Sequence, residues 1–132
     1  MSPSELPSDV RQLLKEQIRS IEQLEILLLL RDAPERNWSA DEVYQKVRSS
    51  ERSVIQTLEE LSNRGLLVHA DEEGLPRFRF SPRTAPLKET VDRLAQLYAE
   101  RRVRIVEAIY SDRVSAVNEF AKAFRLRKDS NG

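Results

Sequence analysis

The chain has 132 residues, 39% of them hydrophobic and 33% charged, with 22 basic residues balanced by 22 acidic ones. That is one domain, or one domain with an appendage, holding enough apolar material for a core and too little Gly and Pro (3 and 6) for a linker-dominated chain. With no Cys, disulfides, thiolate zinc sites and Cys nucleophiles are excluded, and a single His leaves almost no material for a metal site of the usual imidazole kind.

Charge is unevenly divided. Residues 1–83 carry 12 Lys/Arg against 15 Asp/Glu, a net of −3, whereas residues 84–132 carry 10 against 7, a net of +3. A nucleic-acid binder usually has a basic excess, because displaced phosphate counterions supply most non-specific affinity. Here that excess is absent overall and falls in the C-terminal part. Pro3, Glu5, Pro7 and Asp9 occupy the place where a signal peptide needs basic and then apolar residues. The longest apolar run, Ile26 to Leu30, is far short of the roughly 20 residues that cross a bilayer. These features lead us to expect a cytoplasmic protein.

Taken in chain order, a polar, Pro-rich lead gives way to a first helix with Ser8 or Asp9 as its cap. Val10, Leu13, Leu14, Ile18 and Ile21 recur at helical spacing. The pattern thickens at IEQLEILLLLRD, whose small polar face predicts a central helix packed on several sides, stopped at Asp32-Ala33-Pro34. Ser39 and Glu42 then form a capping box for a short helix that buries Val43, Tyr44 and Val47, and Trp38 before it suits a brief strand or a staple.

A third helix, capped by Ser49 and Ser50, carries Val54, Ile55, Leu58 and Leu61 as its expected inner face and ends at Gly65. Leu66 to Val68 reads as a strand and Asp71-Glu72-Glu73-Gly74 as a turn. PRFRF reads as a second strand, with Phe78 and Phe80 on one side and Arg77 and Arg79 on the other. Pro86 opens what reads as one long helix over 87–110, interrupted in its apolar seam by Arg101 and Arg102. Asp112 is expected to cap a last helix bearing Val114, Val117, Phe120, Ala121 and Phe124.

The run from Ile21 to Ser81 resembles the winged helix-turn-helix domain of bacterial transcriptional regulators, in the broad MarR- and PadR-like sense. EILLLLRD, SADEVYQKV, SVIQTLEELSNRGLL and VHADEEGLPRFRF carry the resemblance, and LEELSNRGLL is the most telling stretch. It covers about half of the chain. The expected fold is therefore mainly α with a small β-hairpin: a winged helix-turn-helix over residues 1–83, followed by a helical extension over 84–132. The resemblance also implies duplex DNA as partner and the long helix as a dimerisation element.

On that expectation the third helix reads bases. Arg52 suits guanine and Gln56 adenine, while Ser50, Ser53 and Thr57 offer hydroxyls to phosphates, and Arg77 and Arg79 steady the hairpin on the backbone. Glu59 and Glu60, and the three carboxylates of the turn, oppose that reading. Leu87, Val91, Leu94, Tyr98, Ile105 and Ile109, with Phe120 and Phe124, form a seam for a homodimer, unless the two tail helices close on their own chain. The alternative function is a winged helix that recruits a protein, such as a sigma factor or a regulator's partner, without DNA. His69 reads as a surface residue and Trp38 as core. No Gly-rich phosphate loop or nucleophile–base–acid set is present, no cofactor or metal is implied, and an enzyme is not expected.

Overall fold

The structure, a computed structural model, describes residues 6–110. Its elements run α1 (Ser8–Glu16), α2 (Ile21–Arg31), α3 (Ala40–Lys46), α4 (Glu51–Asn63), β1 (Leu67–His69), β2 (Phe78–Phe80) and α5 (Ala85–Glu100). Residues 102–110 form a further helical segment. Among the described residues no helix is long and apolar enough to cross a membrane.

The helix ends follow from side chains that satisfy otherwise orphaned backbone N–H groups. Ser20 accepts from the N–H of Gln23, Ser50 from that of Ser53 and Thr84 from that of Leu87. Ser39 and Glu42 make the reciprocal capping box expected of them. The start of α1 differs from expectation. Pro7 occupies the cap position with no side-chain bond to the helix, and Asp9 instead accepts from the N–H of Val10. Ser20 also separates α1 from α2 by opening a new helix where the apolar pattern runs on.

Two elements bring the hairpin into register. Gly65 ends the turn after α4 at φ +81°, a conformation that side-chain-bearing residues rarely adopt, and a Cβ there would also displace the Arg83 side chain, whose Nε would lie 2.9 Å away. The Arg83 N–H donates to the Gly65 carbonyl at 2.8 Å. β1 and β2 are antiparallel, with Leu67 opposite Phe80, Val68 opposite Arg79 and His69 opposite Phe78. Trp38 extends this pairing by exchanging two backbone hydrogen bonds with Phe78, 2.7 and 2.8 Å. At the hairpin tip Glu73 and Gly74 both have positive φ, 51° and 79°, which suits the right-handed twist of the strands they join.

One apolar cluster holds these elements together. Leu24, Ile26, Leu27 and Leu30 of α2 are buried with Val54, Leu58 and Leu61 of α4, Phe78 and Phe80 of β2, and Val91 and Leu94 of α5. Ile105 and Ile109 belong to the same cluster. The single long helix expected over 87–110 is two segments. Arg101 breaks it at φ −137°, ψ 54°, and the N–H of Arg101 still bonds the Leu97 carbonyl at 2.6 Å.

The inner face of α4 is also rotated from the one the sequence suggests. Ile55 is 51% exposed, whereas Thr57 is 4% exposed. Replacing Leu58 with Ala is therefore expected to cost about 2–5 kcal/mol, as a large core side chain does. Ile55→Ala is expected to stay within about 0.5 kcal/mol of the parent, as at an ordinary surface position. Urea denaturation of the two variants measures this, and equal losses would refute the orientation.

Candidate nucleic-acid interface

The outer face of α4 is set by what its inner face buries. With Val54, Thr57, Leu58 and Leu61 inward, Arg52, Ile55, Gln56, Glu59 and Asn63 are exposed along one side of the helix, and Glu51 is exposed at its start. Ser50 caps the helix and is exposed at its N-terminal end. Of the hydroxyls assigned to phosphates by the sequence, Thr57 must be withdrawn, because it lies in the core. Ser53 is half-buried and its hydroxyl is 2.8 Å from both carboxylate oxygens of Glu22, so it ties α4 to the first turn of α2.

Glu60 also faces inward. Gln23, itself buried, donates to its carboxylate at 2.7 Å, and Arg64 approaches it at 3.4 Å. The Arg64 guanidinium donates further to the carbonyl of Gln17 at 2.6 Å and to the Gln23 side chain at 3.2 Å. The remaining lone pair of that amide oxygen is met by the N–H of Arg19 at 2.9 Å. These bonds clamp α4 to the junction between α1 and α2. Gln56 joins the edge of the group by donating to Glu60 at 3.1 Å, which holds its amide along the outer face. Glu59 stands 3.4 Å from Nε2 of His69, whose ring leans on Phe78 at 4.9 Å between centroids. Sequence reasoning missed the clamp because its members are separated by about 40 positions; only the i,i+4 spacing of Glu60 and Arg64 was visible.

The hairpin arginines divide. Arg77, expected at phosphates, is held at 2.7 Å from Glu42, 3.3 Å from the Asn37 carbonyl and 3.5 Å from Glu72. Asn37 also donates to Glu72, and the Arg36 guanidinium lies 3.6 Å above the Trp38 ring while pairing with Glu42 at 2.9 Å. Arg77 is thus a brace between the hairpin and α3. Arg79 is half-buried on β2, and neither it nor Arg52 nor Arg83 makes a side-chain hydrogen bond or ion pair with another described residue.

The seam expected to pair two copies is largely consumed within one chain. Val91, Leu94, Ile105 and Ile109 are buried, and Leu87 and Tyr98 are half-buried. Phe120 and Phe124 lie outside the described residues. The large apolar side chains left exposed near the end of the described chain are Val103, at 71%, and Tyr110, at 51%.

Two helices joined by a short turn, the second presenting a polar face, followed by an antiparallel hairpin, make a winged helix-turn-helix: α3 and α4 are its two helices and β1–β2 its wing. No family model matches the chain, and no curated protein does. Among solved structures, the adhesin competence repressor AdcR of Streptococcus pyogenes is similar at 14% identity, over 86% of this chain and 85% of that one, with a TM-score of 0.49. The multiple antibiotic-resistance repressor MarR of Listeria monocytogenes is similar at 15% identity, over 93% of this chain and 79% of that one, with a TM-score of 0.46.

Glu42 offers a direct check on the brace. The N–H of Ser39 above all, and then Arg36, hold its carboxyl down from the ordinary 4.5 to about 2, against the opposing effect of burial. The folded state therefore favours the ionised form. Its contribution to stability is complete above about pH 4.5 and is lost as pH falls toward 2. The difference in urea midpoint between the parent and Glu42→Gln is expected to be constant from pH 7 to about 5, then to shrink toward pH 2.5. A difference that stays flat over the whole range would contradict it.

Proposed function

We propose that this protein is a transcriptional regulator that binds duplex DNA through α4, and that it works as a two-fold pair. The observation that supports DNA over other partners is how the charges are disposed. Of the acids that counted against it, Glu60 is bonded to Gln23 and Arg64, Glu59 is turned to His69 and Glu72 pairs with Arg77, which leaves Asp71 and Glu73 at the wing tip. Arg52, Arg79 and Arg83 have no side-chain partner among the described residues. A net charge of −3 over residues 1–83 thus conceals cations free to replace counterions on phosphate.

In this reading Arg52, on the first turn of α4, takes a guanine edge in the major groove, and Gln56 an adenine. Ser50 and the N–H groups of the first turn meet a phosphate. Arg79 and Arg83 supply backbone contacts, in place of Arg77. Glu51, exposed in the first turn, opposes the phosphates and limits non-specific affinity. Pairing of two copies uses Val103 and Tyr110, the exposed apolar positions of segment 102–110, since the inner seam is already covered.

One observation favours a protein partner. The wing tip sets Leu75, 55% exposed, among Asp71, Glu72 and Glu73, a combination that would repel a phosphate backbone and suit an apolar, basic protein surface.

Selection of genomic fragments by the purified protein, at about 50 and 200 mM salt, separates the two. A DNA-binding pair enriches a common inverted repeat and loses affinity by orders of magnitude at the higher salt. Arg52→Ala is expected to cost about 1–3 kcal/mol and to relax the preference at one position of each half-site. A folded protein that enriches no fragment at either salt would refute DNA binding.

A further inference from the structure

The outer face of α4 is polar except at one position. Ile55 is 51% exposed, with Arg52 one turn before it, Gln56 beside it and Glu59 one turn after, all exposed. Its apolar neighbours Val54 and Leu58 are fully buried, yet Ile55 at the edge of their face stays outside the core. A β-branched residue gains nothing in helix propensity at such a place. Of the polar neighbours, Gln56 is bonded to Glu60 at 3.1 Å and Glu59 faces His69 at 3.4 Å, while Arg52 has no side-chain partner among the described residues.

Ile55 carries only methyl and methylene groups, so neither a phosphate nor a polar base edge can hold it. A major groove presents one apolar group that distinguishes a base, the 5-methyl of thymine. Resting on the DNA-binding reading above, we propose that Ile55 is a specificity-determining residue that packs against a thymine 5-methyl in each half-site. Position along the helix adds a constraint. Three residues of α-helix advance about 4.5 Å, little more than the roughly 3.4 Å of one base-pair step. The thymine therefore lies within about two base pairs of the guanine taken by Arg52. Packing replaces water on both methyl surfaces and needs no reorientation of Gln56 or Glu59.

The test uses the full chain and a duplex enriched in the genomic selection, resynthesised with each thymine replaced in turn by deoxyuridine. This removes the methyl and leaves the pairing edge intact. At one thymine per half-site, within about two base pairs of the position that becomes indifferent in Arg52→Ala, affinity is expected to fall about fourfold per methyl. Ile55→Ala, at a surface position that leaves the core intact, is expected to bind the thymine and deoxyuridine duplexes equally. A parent protein indifferent to deoxyuridine at every thymine overturns the proposal while leaving DNA binding intact. So does an Ile55→Ala variant that keeps the deoxyuridine penalty, since the methyl would then be read by another residue. Failure to enrich any duplex overturns the DNA reading itself, and this inference with it.

Discussion

The rotation of α4 about its own axis is the constraint on which the rest depends. Val54, Leu58 and Leu61 are fully buried against α2 and the hairpin, and they leave the helix one angular position. At about 100° per residue they fall within a sector of roughly 60°. Measured from the middle of that sector, Thr57 lies about 70° away and Ile55 about 90°. Thr57 is the nearer of the two and is enclosed, although it is the more polar. A hydroxyl buried there costs less than opening the seam to bring Ile55 in, because turning the helix would expose a leucine on its far edge. The same rotation carries Arg52, Gln56, Glu59 and Asn63 outward, so the composition of the outer face is a consequence of packing three aliphatic side chains.

Polar bonds then lock what packing has chosen. The clamp of Glu60, Gln23 and Arg64 joins α4 to the end of α1 and the start of α2, and Ser53 with Glu22 adds a contact one turn earlier. Each buried donor or acceptor in it has a partner, which is the condition under which a polar group in a partly dry site does not destabilise the fold. The second group, Arg77, Glu42, Arg36 and Glu72, ties the wing to α3, less completely satisfied, since the buried Nε of Arg77 has only the 3.5 Å approach of Glu72. Some carboxylates that look like obstacles to a polyanion in the sequence, Glu60 and Glu72 among them, are therefore counter-charges to the domain's own arginines, while Glu51, Asp71 and Glu73 stay exposed. Charge counted along a chain and charge presented at a surface are different quantities, and here the difference changes which partner is plausible.

Much of the architecture was legible because it rests on short-range chemistry. Ser39 with Glu42, Ser50 before α4, Gly65 after it and the alternation of Phe78 and Phe80 are all local signals, and each element they mark is present. The break between α1 and α2 was lost because Ile18 and Ile21 continue the apolar stripe across it, while Ser20, the residue that opens α2, looks like any other polar position. The break at Arg101 was signalled only as a fault in the seam. At the candidate site the identities were readable but the commitments were not. Thr57, Ser53 and Arg77 were offered as ligands on the strength of their chemistry, yet burial, Glu22 and Glu42 respectively had claimed them. The bonds of Ser53 and Arg77 span 31 and 35 positions, which periodicity does not encode.

The break at Arg101 also governs how two copies could meet. In an unbroken helix Leu94 and Ile105 would stand within about 20° of each other, a continuous stripe open to a partner. Broken at Arg101, the chain buries both in its own cluster, pairs Arg102 with Glu25 of α2 at 3.6 Å, and sets Val106 and Tyr110 across a groove from Leu6 and Leu14. What segment 102–110 leaves exposed is then small. Among the described residues of that segment, two side chains, Val103 and Tyr110, by themselves fall well short of the roughly 800 Å² per partner that a stable interface buries. Contacts of that size are weak between free molecules but need not be weak on DNA. Two copies seated on adjacent half-sites meet at a high effective concentration, and a contact worth little in solution then favours paired occupancy over single occupancy. A regulator built this way would couple its assembly to its operator, with the spacing of the half-sites, and not the strength of the protein contact, as the feature that selects the site.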